Sequence, residues 1–136
     1  NGHELLRPQY KNYEVKSNDY SQNDKHPYYV IMEDNDSCYY VYKGNSSNPC
    51  FETEYEIVEI VHDDYFIVKN SDEEYGVRKG NGAVIKVMEY DEISGKSYGF
   101  LCESYFEEFD PEYGQYVTFA KREKYDFEGN YIGLDN

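Results

Sequence analysis

The chain of 136 residues has no tryptophan and few of the residues that favour helices. It has only two Ala and four Leu, against ten Val, seven Ile, eighteen Tyr and seven Phe. β-Branched and aromatic residues favour strands, whereas Ala and Leu favour helices. No apolar run approaches the roughly 20 residues that cross a bilayer. The composition therefore predicts a β-rich chain of about one domain, with no membrane-spanning segment and with its compartment left open.

Positive charge is also scarce. Thirteen Lys and Arg stand against twenty-eight Asp and Glu, which leaves a net charge of −15. The excess is concentrated in residues 29–112, which contain twenty acids and six bases. Nucleic acids and anionic membranes bind cationic protein surfaces. We therefore expect no direct nucleic-acid binding, no membrane binding, and a monomer whose copies repel one another.

The chain lacks the local patterns that mark catalytic and metal sites. Its three cysteines have no Cys-x-x-Cys spacing, and no glycine-rich segment continues into a phosphate-binding loop. His62 beside Asp63-Asp64 is explained by a solvated hairpin turn. The acidic segments 34–36 and 107–112 lack the ligand spacing of a calcium-binding loop. We expect a non-enzymatic protein with no metal site and no cofactor.

Two of the cysteines leave two alternatives open. If a hairpin turned symmetrically about Gly44, Cys38 and Cys50 would face each other and could form a disulfide. The repeat described below instead sets Cys38 against residues 52–53, which leaves Cys50 on a strained diagonal. The other alternative is a pair of reduced, half-buried thiols that pack as small apolar groups.

Short apolar and aromatic runs alternate with turn residues at intervals of about ten from residue 28 onward. This spacing predicts an antiparallel meander, small barrel or sandwich over residues 28–136, preceded by an irregular polar arm over residues 1–27. The segment 104–109 is the one helix candidate. The predicted strands are 28–32, 38–42, 53–61, 65–69, 75–79, 83–88, 98–102 and 116–121.

An internal repeat of 36 residues is the most informative pattern. Residues 29–45 and 65–81 share eight identities in seventeen ungapped positions, and after a one-residue shift Glu54-Tyr55-Glu56 aligns with Glu89-Tyr90-Asp91. Repeats of this length indicate stacked copies of one supersecondary unit. The sequence therefore predicts two β units and a degenerate third.

The second copy resembles a known family. Glu74-Tyr75-Gly76-Val77, the turn at 80–82 and Tyr90-Asp91-Glu92-Ile93 are similar to the WG-repeat family of bacterial β-rich arrays. The resemblance is clearest over residues 65–93 and partial over residues 29–55. Tyr75 stands where the family favours Trp, and Tyr40 stands where it has Gly. The resemblance implies a β scaffold that binds a partner, and it implies no catalytic residues.

A ladder of carboxylates provides the candidate binding site. In Glu52-Thr53-Glu54-Tyr55-Glu56-Ile57 the acids alternate with β-branched or aromatic residues, so one strand face would be anionic. Val58-Glu59-Ile60 then reverses the phase, as a bulge or a crossing to another sheet would. Taken alone, this strand is explained more simply as an edge strand protected from aggregation by its charges. The acids in the equivalent place of the next repeat, Glu89, Asp91 and Glu92, and those at 107–112 favour an acidic face built by repetition.

The sequence supports two functional hypotheses. The first is an acidic binding or inhibitor protein that engages a basic protein surface, such as an immunity-like protein or an inhibitor of a nucleic-acid-handling enzyme. The second is a structural or extracytoplasmic β-repeat module in which the acids serve only solubility. For the first, the candidate contact residues are Glu52, Glu54, Glu56, Glu89, Asp91, Glu92, Tyr55 and Tyr90.

Overall fold

The computed structural model describes residues 10–17, 28–43, 48–62 and 64–135. Over these ranges the chain is all-β with antiparallel pairing, which confirms the expected fold class. No helix in the described ranges could span a membrane.

Twelve strands form three sheets of four consecutive strands each. Sheet A contains β1 (Tyr10–Ser17), β2 (Tyr28–Asp34), β3 (Tyr39–Lys43) and β4 (Phe51–Thr53). Sheet B contains β5 (Glu56–Val61), β6 (Tyr65–Lys69), β7 (Tyr75–Lys79) and β8 (Val84–Tyr90). Sheet C contains β9 (Glu92–Lys96), β10 (Gly99–Asp110), β11 (Gln115–Tyr125) and β12 (Tyr131–Leu134), in the order β9-β10-β11-β12. Each sheet is a meander, and the described strands form no closed barrel.

The β6 strand of sheet B is buried on both faces, and its sequence shows why. Successive residues of a strand point to opposite faces. In β6, Phe66 and Val68 enter a core shared with sheet A, whereas Ile67 enters a core shared with sheet C. We call these core AB and core BC. Because both faces need apolar side chains, β6 is a continuous apolar run and does not alternate.

Core AB is built around aromatic rings. The ring of Phe66 lies edge-on to Tyr29 at 4.9 Å and to Phe51 at 5.0 Å between centroids. Ile31, Val41, Ile57, Ile60 and Val68 complete the buried set. Full burial of such side chains stabilises the fold by roughly 1.5–3 kcal/mol each, so this core holds the first two sheets together.

Core BC joins sheet B to the third sheet. Its buried members include Ile67 and Val77 of sheet B, and Phe100 and Cys102 of β10. Burial raises the pKa of the Cys102 thiol to about 12, so this thiol is an apolar core group at neutral pH.

Two turns repeat the same geometry at a spacing of 36 residues. In the β2–β3 turn, Asp34 Oδ1 accepts hydrogen bonds from the Asp36 and Cys38 amides at 2.9 and 3.0 Å. In the β6–β7 turn, Asn70 Oδ1 accepts bonds from the Asp72 and Glu74 amides, both at 2.9 Å. Ser37 and Glu73, also 36 residues apart, adopt φ values of 61° and 63°. The bounds of β3 and β7 show the same spacing.

Three sequence expectations need correction. The expectation of an irregular arm is wrong for residues 10–17. These residues form β1, which pairs with the edge of β2 and satisfies its backbone groups. Residues 1–9 and 18–27 of that arm lie outside the described residues. The helix candidate 104–109 is wrong, because β11 supplies a cross-strand partner for every residue there. The strand expected over 53–61 is interrupted at residues 54–55. The assignment of residues 28–136 to one domain stays a prediction.

Candidate functional site

The six candidate carboxylates flank the two places where the chain passes between sheets. Glu52, Glu54 and Glu56 flank the link from β4 to β5, and Glu89, Asp91 and Glu92 flank the link from β8 to β9. All six are exposed. The first three are not on one strand, because Glu52 belongs to sheet A and Glu56 to sheet B. The expected ladder is therefore a link between two sheets, here called junction AB, and the link from β8 to β9 is called junction BC.

Local hydrogen bonding and a bulge explain the break at junction AB. The Tyr55 amide donates to the buried Thr53 Oγ1 at 3.1 Å, which turns the chain back on itself after β4. The expected phase reversal is confirmed, since the register of β5 against β6 shifts between Ile57 and Glu59.

Tyr55 is only partly available to a partner. Its ring packs against core AB, and the Arg78 guanidinium lies 5.5 Å from the ring centroid. Arg78 Nε is buried, and no hydrogen-bond partner for it lies among the described residues. The chain's own cation therefore covers part of a ring that we expected to receive a partner's cation.

Tyr90 does not fit a contact role, although it aligns with Tyr55 in the repeat. It is 4% exposed in core BC, where its hydroxyl lies 3.3 Å from that of Tyr125. Lys86 Nζ sits 3.5 Å from the Tyr125 ring centroid and 5.5 Å from that of Tyr90. Because sheet C covers Tyr90, this side chain stabilises the fold and does not face a partner.

Junction BC carries a compact carboxylate cluster. The Tyr105 amide donates a hydrogen bond to Asp91 Oδ2 at 2.6 Å. The Tyr105 hydroxyl lies within hydrogen-bond distance of Glu103 at 2.8 Å and of Glu92 at 3.2 Å. The hydrogen bond to Glu103 is the largest cause that raises the pKa of Tyr105 to about 12. Arg122 Nε lies 3.7 Å from Glu103. Sequence analysis identified Asp91 and Glu92 but missed Glu103, Tyr105 and Arg122.

A two-stranded ribbon extends from this cluster. β9 pairs with β10 only as far as Glu103, and β12 pairs with β11 from Glu123 onward. Within the described ranges, no third strand pairs with residues 104–121, which we call the ribbon. At about 3.4 Å per residue, each of its strands is roughly 20 Å long.

Both faces of the ribbon carry exposed aromatic side chains. Phe106 lies opposite Phe119 on one face, and Phe109 lies opposite Tyr116 on the other. Their exposed fractions are 42%, 43%, 52% and 68%, respectively. Tyr113 at the tip is also exposed. The ribbon therefore leaves aromatic side chains in water on both of its faces and at its tip.

The ribbon is also acidic. Residues 104–121 contain four acids, Glu107, Glu108, Asp110 and Glu112, and one base, Lys121, whose ammonium lies 3.6 Å from Glu123 just beyond the ribbon. Sequence analysis noted these acids but not the ribbon. The missed signal is a turn containing Pro111 and Gly114 between two aromatic-rich runs, which is typical of a hairpin.

The cysteines are free thiols in the described structure. Tyr39 pairs with Thr53 and Val41 with Phe51, so Cys38 and Cys50 do not face each other. Cys50 Sγ donates to the Val41 carbonyl at 3.2 Å instead. Of the two alternatives left by the sequence, the structure has the reduced thiols.

The described residues contain no group of three or more His, Cys, Asp or Glu side chains arranged to hold a metal ion. His62 is exposed, and its ring lies edge-on to Phe127 at 4.6 Å. Asp63, its neighbour in the sequence, lies outside the described residues.

The chain matches no protein-family model, and comparisons with curated proteins and with solved structures give no significant match. The resemblance to the WG-repeat family therefore stays a prediction.

Proposed function

We propose that the protein is a non-enzymatic acidic binding protein whose ribbon engages a basic surface on a protein partner. The observation that carries this proposal is the ribbon itself, with exposed aromatic pairs on both faces and carboxylates along its length. Interface centres are enriched in aromatic residues, and their rims are polar. The ribbon combines both features in one projecting element.

Energetics support a binding role over a structural one. A two-stranded ribbon is only marginally stable by itself, and exposed aromatic pairs contribute roughly 0.5–1.5 kcal/mol beyond burial. Exposed rings such as Phe109 and Tyr116 leave apolar surface in contact with water. A partner that covered these rings would remove that surface from water, which would contribute favourably to the free energy of binding. The rings are therefore candidate hot spots.

The negative charge of the chain favours a partner with a positively charged surface. The net charge of −15 makes a long-range field that attracts cationic surfaces and repels anionic ones. Asp91 and Glu92 at the base of the ribbon, with Glu107 and Glu108 along it, would meet Lys and Arg of the partner. An immunity-like protein or an inhibitor of a nucleic-acid-handling enzyme fits this description, since such enzymes present basic clefts.

Junction AB has a different role in this proposal. Glu52, Glu54 and Glu56 add to the field that steers encounter, and they are not placed in the interface. Charges outside an interface change association rates more than dissociation rates.

A second candidate function is a structural β-repeat module. The observation that favours it is the placement of exposed acids on all three sheets, such as Glu52, Glu56 and Glu92. If these acids serve only solubility, the ribbon would have no dedicated partner.

Site-specific photo-crosslinking separates the two candidates. A photoreactive residue at Tyr113, on the ribbon tip, is compared with one at Asp72, in the exposed β6–β7 turn, in lysate of the source cell. We expect a protein with an excess of Lys and Arg to be captured at 113 and not at 72. Equal capture at both positions, or capture of acidic proteins at 113, would contradict the proposal.

A further inference from the structure

A cleft of about 290 Å³ lies at the ends of β3 and β7, far along the chain from the ribbon. Lys43 ends β3 and Lys79 ends β7, and the two lysines are 36 residues apart. Tyr29, Cys50, Asp64, Gly80 and Asn81 also line the cleft. The two equivalent strands of sheets A and B thus bring two cations to one concave site.

This concentration of positive charge is exceptional in the chain. Residues 29–112 contain only six bases, and two of them line this cleft. In the part of the chain that the structure describes, neither Lys43 nor Lys79 forms an ion pair with a carboxylate. The Lys79 ammonium lies 6.0 Å from the Tyr65 ring centroid, a weak contact that leaves its hydrogen-bond donors available.

The remaining polar groups of the cleft are fixed by the fold. The Gly80 amide donates to the Asp64 carbonyl at 2.7 Å, and the Asp64 carboxylate lies where a Cβ at Gly80 would be. A glycine at position 80 therefore lets the carboxylate approach the backbone. Among the described residues that line it, the cleft has two cationic donors and one anionic acceptor.

We propose that this cleft binds a small oxyanion, held by the ammonium groups of Lys43 and Lys79. Asp64 would accept a hydrogen bond from a hydroxyl or amino group of the same ligand. The volume is near the lower end of the range for small-molecule sites and equals that of roughly ten waters. The ligand chemistry is a carboxylate or phosphate group on a small molecule. This site does not depend on the ribbon or on its proposed partner.

Cys50 is a built-in reporter of the cleft, and Cys38 is its control, since both thiols are half-buried. Alkylation by anionic iodoacetate is compared with alkylation by neutral iodoacetamide at each thiol, using mass spectrometry. The ratio of the two rates cancels the thiolate fraction and reports local potential. We expect a higher iodoacetate-to-iodoacetamide ratio at Cys50 than at Cys38.

Matched variants connect that ratio to the lysines. Lys43→Gln and Lys79→Gln should each lower the ratio at Cys50 by roughly two- to five-fold, as expected for partly exposed charges. Lys69→Gln, which removes a lysine that does not line the cleft, should leave it unchanged. Equal ratios at Cys50 and Cys38 in the wild-type protein would overturn the proposal.

Direct binding is measured by NMR on the full chain. Sodium acetate and sodium phosphate are titrated against sodium chloride of equal ionic strength, and the amides of Gly80 and Asn81 are followed. Saturable shifts with either oxyanion, reduced in the Lys43→Gln/Lys79→Gln variant, support the site, and comparison of the two anions distinguishes a carboxylate from a phosphate ligand. Shifts no larger than those with chloride would overturn it.

Discussion

Phe106 and Phe119 stack across the ribbon with ring centroids 5.7 Å apart and an interplanar angle of 25°, yet neither ring is buried. The pair stabilises the ribbon, and the outer surface of both rings remains open to a partner.

Replacing Phe106 and Phe119 together by Ala should affect binding more than stability. Because both rings are exposed, we expect the free energy of unfolding to fall by about 0.5–1.5 kcal/mol. Affinity for the captured partner should fall by about 2 kcal/mol or more, as for a hot spot. Urea unfolding and titration calorimetry measure the two quantities. The opposite-face variant Phe109→Ala/Tyr116→Ala is the matched comparison. A folded protein with unchanged affinity in both variants would exclude the ribbon rings from the interface.

The repeated turns should depend on one side-chain acceptor. Asn70→Ala removes the acceptor for two backbone amides, and we expect a loss of about 1–2 kcal/mol in the free energy of unfolding. Asn70→Asp should recover part of it, because Asp keeps the acceptor, as Asp34 does in the first turn, but it loses the amide that donates to Glu74 Oε1 at 3.0 Å. Thermal and urea unfolding check both variants. An Asn70→Asp variant as unstable as Asn70→Ala would contradict the equivalence of the two turns.

Tyr90 should make stability fall at alkaline pH. Burial, followed by the hydrogen bond to Tyr125, raises the pKa of Tyr90 above its ordinary value of 10.0. The folded state then keeps a proton that the unfolded state loses, so this contribution is fully present below about pH 10 and is lost as the pH rises further. Tyr90→Phe should cost about 0.5–1.5 kcal/mol at neutral pH and reduce the alkaline loss.

The control for this prediction is Tyr113→Phe at the exposed ribbon tip, which should leave the alkaline profile unchanged. Urea midpoints at about pH 8 and about pH 10.5 provide the comparison. Parallel profiles for the wild-type protein and Tyr90→Phe would show that another group causes the alkaline loss.

Two sets of charge changes should act differently on association. The ribbon variant combines Glu107→Gln, Glu108→Gln and Glu112→Gln. We expect it to weaken binding by roughly 1–3 kcal/mol, mostly through slower association. The junction AB variant combines Glu52→Gln, Glu54→Gln and Glu56→Gln, and it should cause a smaller loss of binding affinity. Its stability should change by only a few tenths of a kcal/mol, because the side chains are exposed.

Stopped-flow association at low and physiological ionic strength measures both charge variants. The ribbon variant should show the weaker salt dependence, since it has lost the carboxylates nearest to the partner. A larger effect from the junction AB variant would restore the carboxylate ladder as the binding surface.

The sequence predicts strands best where burial is two-sided. β6 matches its predicted bounds, because an apolar run between turn residues is read directly from the chain. β7 matches as well, because its turn residues mark its ends. The ribbon was missed because Glu107-Glu108 breaks the alternation in β10, and only pairing with β11 makes that segment a strand. β1 was missed for a related reason, since it depends on the free edge of β2.

The exposure of the acids at the two junctions could be predicted from the sequence, but the burial of the tyrosines between them could not. Glu54-Tyr55-Glu56 and Glu89-Tyr90-Asp91 align in the repeat, and both sets of acids are exposed, as an acidic surface requires. Their tyrosines differ, because sheet C closes over Tyr90 while Tyr55 is only half-buried. Which sheet covers a residue depends on tertiary packing, so the local sequence cannot distinguish the two rings.

If the ribbon is the binding element, hydrogen exchange will show that a partner covers it. Backbone amide exchange is measured by mass spectrometry for the full chain, free and with the crosslinked partner added in excess. We predict that protection on binding is concentrated in residues 104–121, with smaller changes at Asp91 and Glu92. Protection confined to sheets A and B, with exchange in residues 104–121 unchanged, would contradict the account.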